Sequence, residues 1–183
     1  MSKLIVVIIT LVLFSSAHAE RLLDPMPQTM VAQNFTLPNI NGEDVSLDDY
    51  KGSFVLVNFW ALSCVICRAE LTVIQDLHDQ LSKDYKFEVV AIHAGPKTPE
   101  LDEVLALNPV NYSIVTDAAL QLGHWGIPNL PTSYIITPEG NFAYRALGTK
   151  VWNAPYMVDF LRNFMDSHLE GATSSPISSS QAN

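Results

Sequence analysis

Apolar residues along this chain recur with two different periods. Residues 53–60, Ser-Phe-Val-Leu-Val-Asn-Phe-Trp, form an almost unbroken apolar run. Its length and β-branching predict a strand covered on both faces, and residues 86–92 repeat the pattern. Between these runs the period becomes helical. Ile66, Val73, Ile74, Leu77 and Leu81 predict a helix over about 64–81, with Ser63 as its N-cap. Residues 34–37 and 44–47 read as short strands around a turn at 39–42. Residues 98–107 read as a helix with Pro99 in its first turn. A short strand at 112–115 and a short helix at 117–122 follow. Residues 132–136 and 141–147 read as a hairpin across 137–140, and 154–168 as the last helix. The expected fold class is α/β: a central mixed β-sheet with helices on both faces and an N-terminal β-hairpin extension.

The two ends depart from this pattern. Met1-Ser-Lys3 is basic, residues 4–14 are apolar apart from Thr10, and Ala17-His-Ala19 offers a cleavage site. That is the layout of a secretory signal peptide over residues 1–19. An uncleaved membrane anchor is the competing reading, but the apolar run is shorter than the ~20 residues a spanning helix needs. A periplasmic or other extracytoplasmic location is expected. Residues 20–32, with Pro25 and Pro27, read as irregular, 33–169 as one domain, and the Ser-rich 170–183 as a disordered tail.

Charge removes one class of function. The 183-residue chain carries a formal net charge of −9, and loss of Lys3 with the leader makes it more acidic by one. Such a chain has no general attraction for phosphate backbones, so nucleic-acid binding is excluded.

Only two cysteines occur, Cys64 and Cys67, in the run Trp60-Ala-Leu-Ser-Cys-Val-Ile-Cys-Arg-Ala-Glu70. A bridge closing so short a loop adds little stability, so the pair reads as chemical rather than structural. At a helix start, outward N–H groups and the helix dipole favour a thiolate on Cys64. Cys67, one turn later, can close onto it. Cys64 is therefore assigned as nucleophile and Cys67 as resolving thiol. A zinc site would need two more ligands, and no histidines are paired at ligand spacing; no metal and no cofactor beyond the redox-active pair is expected. Glu70 follows Cys67 by three residues and precedes Val73, Ile74 and Leu77 at helical spacing. It reads as a desolvated carboxyl that takes the proton of Cys67, or else as an exposed glutamate in the helix's first turns. Trp60 is a candidate for the substrate groove. His93, at a strand end, and Trp125 read as structural. Pro131 opens a strand; the base rate for cis X-Pro bonds gives it no catalytic role from its position alone.

These residues together resemble the TlpA/ResA-like branch of the thioredoxin superfamily, which includes cytochrome c maturation thioredoxins. The resemblance runs from about residue 34 to 164. It is carried by Phe35-Thr-Leu-Pro38, Lys51-Gly52, Val55-Leu-Val-Asn-Phe-Trp-Ala61, Cys64-x-x-Cys67-Arg-x-Glu70-Leu71 and Leu130-Pro-Thr-Ser-Tyr-Ile-Ile-Thr-Pro-Glu-Gly140. It implies a thioredoxin-like fold, a cis Pro131 facing the disulfide with Leu130 beside it, and Glu70 as the branch's buried acid. Asn58 stands where ordinary thioredoxins carry a buried aspartate. The resemblance further implies a reductant of client protein disulfides, apocytochrome c being the client of some members, recharged by a membrane thiol carrier; a monomer is expected. Ser63, Ile66 and Thr72 depart from the branch's usual Trp, Pro and Pro.

Protein-disulfide reduction is thus the leading expectation. The Val65-Ile66 pair supplies no positive charge to hold a Cys64 thiolate, which argues for a reducing centre. Two alternatives stand beside it. A thiol peroxidase would need an activating residue set that Ala61 does not provide. A copper or haem chaperone could use the two soft thiols, although no Met or His cluster accompanies them in sequence.

Overall fold

The apolar run at residues 54–60 becomes a strand in the middle of a six-stranded sheet, buried along its whole length. The structure, a computed structural model, describes residues 21–174. The expected leader at 1–19 and the chain beyond 174 lie outside the described residues. In chain order the strands are β1 (Asp24–Pro25), β2 (Thr36–Pro38), β3 (Asp44–Ser46), β4 (Phe54–Trp60), β5 (Phe87–His93), β6 (Ser113–Thr116), β7 (Thr132–Ile136) and β8 (Phe142–Leu147). The α-helices are α1 (Val65–Leu81), α2 (Pro99–Leu107) and α3 (Pro155–Ser174). Single 3-10 helices occupy Leu47–Tyr50 and Gln121–Trp125.

The sheet order is β1-β8-β7-β4-β5-β6, while β2 and β3 pair as a separate hairpin. β4, β5 and β6 run parallel; β7 is antiparallel to β4, and β8 to β7. The connections through α1 and α2 step the same way across the sheet, and right-handed crossovers place both helices on one face. Alternation along β4 then makes two cores. Phe54, Leu56 and Trp60 pack with Leu71, Ile74 and Leu77 of α1, Leu101 of α2, and Met157 and Leu161 of α3. Val55, Val57 and Phe59 face Phe35, Leu37, Leu47, Leu122 and Trp125. The second face is therefore covered by the β2–β3 hairpin and the 3-10 helices, with the three α-helices gathered on the first.

The folded unit is longer than the expected 33–169. Residues 20–32 are not irregular throughout: Asp24 and Pro25 pair with Arg145 and Tyr144, and Val31 bridges Asn141. Leu23 and Ala32 are buried in opposite cores, which anchors this strap at both ends. At the other end α3 runs on to Ser174, past the predicted stop at residue 168 and into the segment expected to be disordered. Lack of apolar periodicity hid these last turns, which are exposed.

Leu77 lies wholly inside the helix-side core. Leu77→Ala should cost about 2–5 kcal/mol of stability. Urea unfolding checks this, with the midpoint lowered and the slope unchanged.

Candidate redox site

β4 leads directly into the cysteine motif. After Trp60 the chain turns, Cys64 N–H donates to Ala61 O at 3.0 Å, and α1 begins at Val65. The N-cap is Cys64 and not the expected Ser63. Cys64 has extended backbone angles, and its Sγ accepts from Cys67 N–H at 3.3 Å. Cys64 and Cys67 are joined as a disulfide. The helical period makes the two sulfurs unequal. Cys67 points inward beside Leu71 and Ile74 and is 1% exposed, while Cys64 is half-buried at the rim. The intervening Val65 and Ile66 turn outward, 66% and 56% exposed, and give the disulfide an apolar surround.

Glu70 lies one turn beyond Cys67 and is 4% exposed. Its Oε1 accepts from Lys150 N–H at 2.7 Å and from Trp152 Nε1–H at 2.8 Å. Asn58 Nδ2 lies 3.5 Å from Oε2 and donates to Ser133 Oγ at 2.9 Å. Burial pushes the Glu70 carboxyl above the usual carboxylate range, and this outweighs the Lys150, Trp152 and Asn58 bonds that pull it down. Of the two sequence readings of Glu70, the structure places it in the buried one.

The Leu130–Pro131 peptide is cis. Thr132 of β7 pairs with Phe59 of β4, so Pro131 lies level with Trp60, at the sheet end from which the cysteine motif emerges. Pro131 O accepts from Gly148 N–H at 2.9 Å, so residues 148–152 run between the cis-proline turn and Glu70. Leu130 is half-buried and touches both cores. Trp60 does not line a groove. Its ring is fully buried in the helix-side core and meets the His93 ring at 5.0 Å. It belongs to the inward-facing set of β4, which is why it packs beneath the motif.

A thioredoxin fold with a C-x-x-C opening the first helix defines the class: a thiol–disulfide oxidoreductase. The profile of the AhpC/TSA family matches residues 29–145, and the chain belongs to that family. It is similar to the thiol-disulfide oxidoreductase ResA of Bacillus subtilis, 31% identical over 119 residues, covering 64% of this chain and 66% of ResA. The match thus spans just under two thirds of that relative. It also resembles the thiol:disulfide interchange protein DsbE of Chlorobium tepidum, with 27% identity, a TM-score of 0.65, and 76% of this chain against 96% of that one. A thiol:disulfide interchange protein from a Bacteroides species shares the fold at 21% identity and a TM-score of 0.64, over 78% and 92% of the chains.

Sequence reasoning missed Trp152, the Lys150 N–H and Ser133, because nothing local marks them. They join the site only once β7 is paired with β4 and β8 with β7. His93 was legible as structural, but not as a partner of the turn before Cys64.

The raised Glu70 titration has a signed consequence. The folded chain keeps a proton at pH values where the unfolded chain, with an ordinary value near 4.5, has lost it. The contribution is favourable below that value and is lost as pH rises through the folded one. Relative to Glu70→Gln, the wild-type protein should therefore lose unfolding free energy as pH rises through this window. Urea denaturation of both proteins across that range measures the slope, and a slope of opposite sign contradicts the assignment.

Proposed function

We propose that this protein reduces disulfides of client proteins in an extracytoplasmic compartment, with Cys64 attacking and Cys67 resolving. The observation that carries the reading is the unequal burial of the two sulfurs: only Cys64 can be reached from outside. In the reduced protein the Cys64 thiolate attacks one sulfur of a client disulfide. The client S–S bond breaks, its other sulfur leaves as a thiolate, and a mixed disulfide remains. Cys67 then gives its proton to the buried Glu70 carboxylate and attacks Cys64 Sγ. The second client sulfur leaves, and the Cys64–Cys67 bond closes as the client gains two electrons.

The raised Glu70 carboxyl suits this step, since raising it brings its proton affinity closer to that of a thiol than an ordinary carboxylate's. Pro131 and Leu130 stand at the same sheet end and would line the client groove. The dithiol is the only redox group the reaction needs. It is restored by a membrane thiol carrier supplying two electrons, and the protein works as a monomer. Apocytochrome c is a client of the right chemistry, carrying two thiols that must be reduced before haem attachment. Export by the leader at 1–19 fits this setting, and among the described residues no helix is long and apolar enough to cross a membrane.

Cys67→Ser should hold clients covalently on Cys64, whereas Cys64→Ser should trap none. Non-reducing electrophoresis of the two proteins after exposure to a disulfide-bearing client reads this directly. Trapping on Cys67 instead would reverse the order of attack. Equilibration of the wild-type pair with glutathione should show a reducing centre, and a potential matching a strong oxidant would sink the proposed direction.

A further inference from the structure

We propose that His93 is a positioning residue for Cys64, holding the turn before it through the Leu62 N–H, and that it does so only as the neutral imidazole. The proposal rests on the thiol–disulfide reading of the site. His93 ends β5, in register with Trp60, and is 4% exposed. Its Nδ1 lies 3.2 Å from Gly95 O, and its Nε2 lies 3.1 Å from Leu62 N. A carbonyl can only accept and a backbone N–H can only donate. The two contacts together therefore fix one tautomer, with the proton on Nδ1 and a bare Nε2.

Gly95 makes the arrangement possible. It has φ of 152°, and a Cβ there would stand 3.0 Å from His93 Cε1. The turn this imidazole holds is short: Trp60 O accepts from Ala94 N–H at 2.8 Å on one side of Leu62, and Cys64 N–H donates to Ala61 O on the other. Leu62 lies two residues before the nucleophile, so its anchor sets where Cys64 starts the helix.

Protonation puts a hydrogen on Nε2 and sets two donors against each other. The Leu62 bond cannot survive it. Burial holds the imidazole below its usual value, and the Gly95 carbonyl offsets this only in part. The groups packed around the ring supply no compensating charge. Trp60 from β4 is uncharged, and Cys64 is in the disulfide in this oxidised form; in the reduced protein a Cys64 thiolate would favour the imidazolium and so ease the release on acidification. Asp117, after β6, turns its carboxylate onto the N–H groups of Gln121 and Leu122. Lys97, beyond Gly95, is held by Ile40 O and Asp102. Acid should thus release the turn before Cys64 while leaving the sheet intact.

Two readouts on the full chain test this. In the wild-type protein the amide resonance of Leu62 should titrate together with the His93 imidazole, whose neutral form should show the Nδ1–H tautomer. Rates of reduction of a small disulfide peptide are then compared between about pH 8 and the acid end of the His93 titration seen in that spectrum. Taking the ratio of wild type to His93→Gln cancels the titration of the thiols and the peptide. Gln offers a neutral acceptor at every pH, so the ratio should be near one at the alkaline end and fall by on the order of tenfold in acid, the scale of one lost hydrogen bond. His93→Leu should be slow throughout. A Leu62 amide indifferent to His93, or a ratio constant with pH, overturns the proposal. If His93→Gln fails to fold, the Leu62 titration in the unmodified chain decides alone. Because that titration needs no activity, its failure is distinguishable from failure of the proposed reaction.

Discussion

The buried carboxyl of Glu70 is the constraint around which the functional end of this molecule is organised. A carboxyl taken out of water must find hydrogen-bond donors, or the fold bears the cost. Glu70 finds three of them on two separate pieces of chain: the Lys150 N–H and the Trp152 indole after β8, and the Asn58 amide in the middle of β4. Asn58 passes the connection to Ser133 of β7. The acid therefore fixes α1 against the sheet and draws the segment before α3 over the motif. That segment begins where Gly148 is bonded to the cis-proline turn. Cys67, Pro131 and Glu70 are thus tied together by one hydrogen-bonded network.

That network also separates the two cysteines chemically. Cys67 shares the interior with Glu70, Leu71 and Ile74, a setting that disfavours a thiolate unless a neighbour takes the proton. Cys64 caps the helix, where backbone donors favour the ionised sulfur. The exposed Val65 and Ile66 add apolar surface and no charge. A dithiol whose thiolate is stabilised by the helix terminus alone holds its electrons less tightly than one flanked by cations, which favours donation to a client.

Much of the layout was legible from the chain because the apolar runs of β4 and β5 and the helical stripe of α1 admit one assembly. The motif's place at a strand–helix junction followed from that, whereas the helical stripe left Glu70 open between a buried and an exposed position. The misses share a cause. Hydroxyls usually cap helices, which points to Ser63, but the turn from Trp60 runs one residue further and the sulfur of Cys64 takes the role. Trp60 was placed in a groove by its nearness in sequence, whereas strand alternation sends it inward. The strand at Asp24–Pro25 has no period to read, since it is formed by pairing with β8 and held by the burial of Leu23. The extra turns of α3 lack an apolar stripe for the same reason: they rest on no core.

Two ionisable side chains lie under the motif on the helix side of the sheet, and burial acts on them in opposite senses. It raises the carboxyl of Glu70 and lowers the imidazole of His93, so that each is pushed toward its neutral form. The hydrogen bonds around them differ in what they permit. Glu70 is surrounded by donors that tolerate either protonation state, since one oxygen keeps its two bonds whether or not the other carries a proton. His93 is wedged between an obligate donor and an obligate acceptor and is compatible with one tautomer only. The first arrangement suits the proton exchange proposed for Glu70. The second suits a group that holds one geometry at the turn before Cys64.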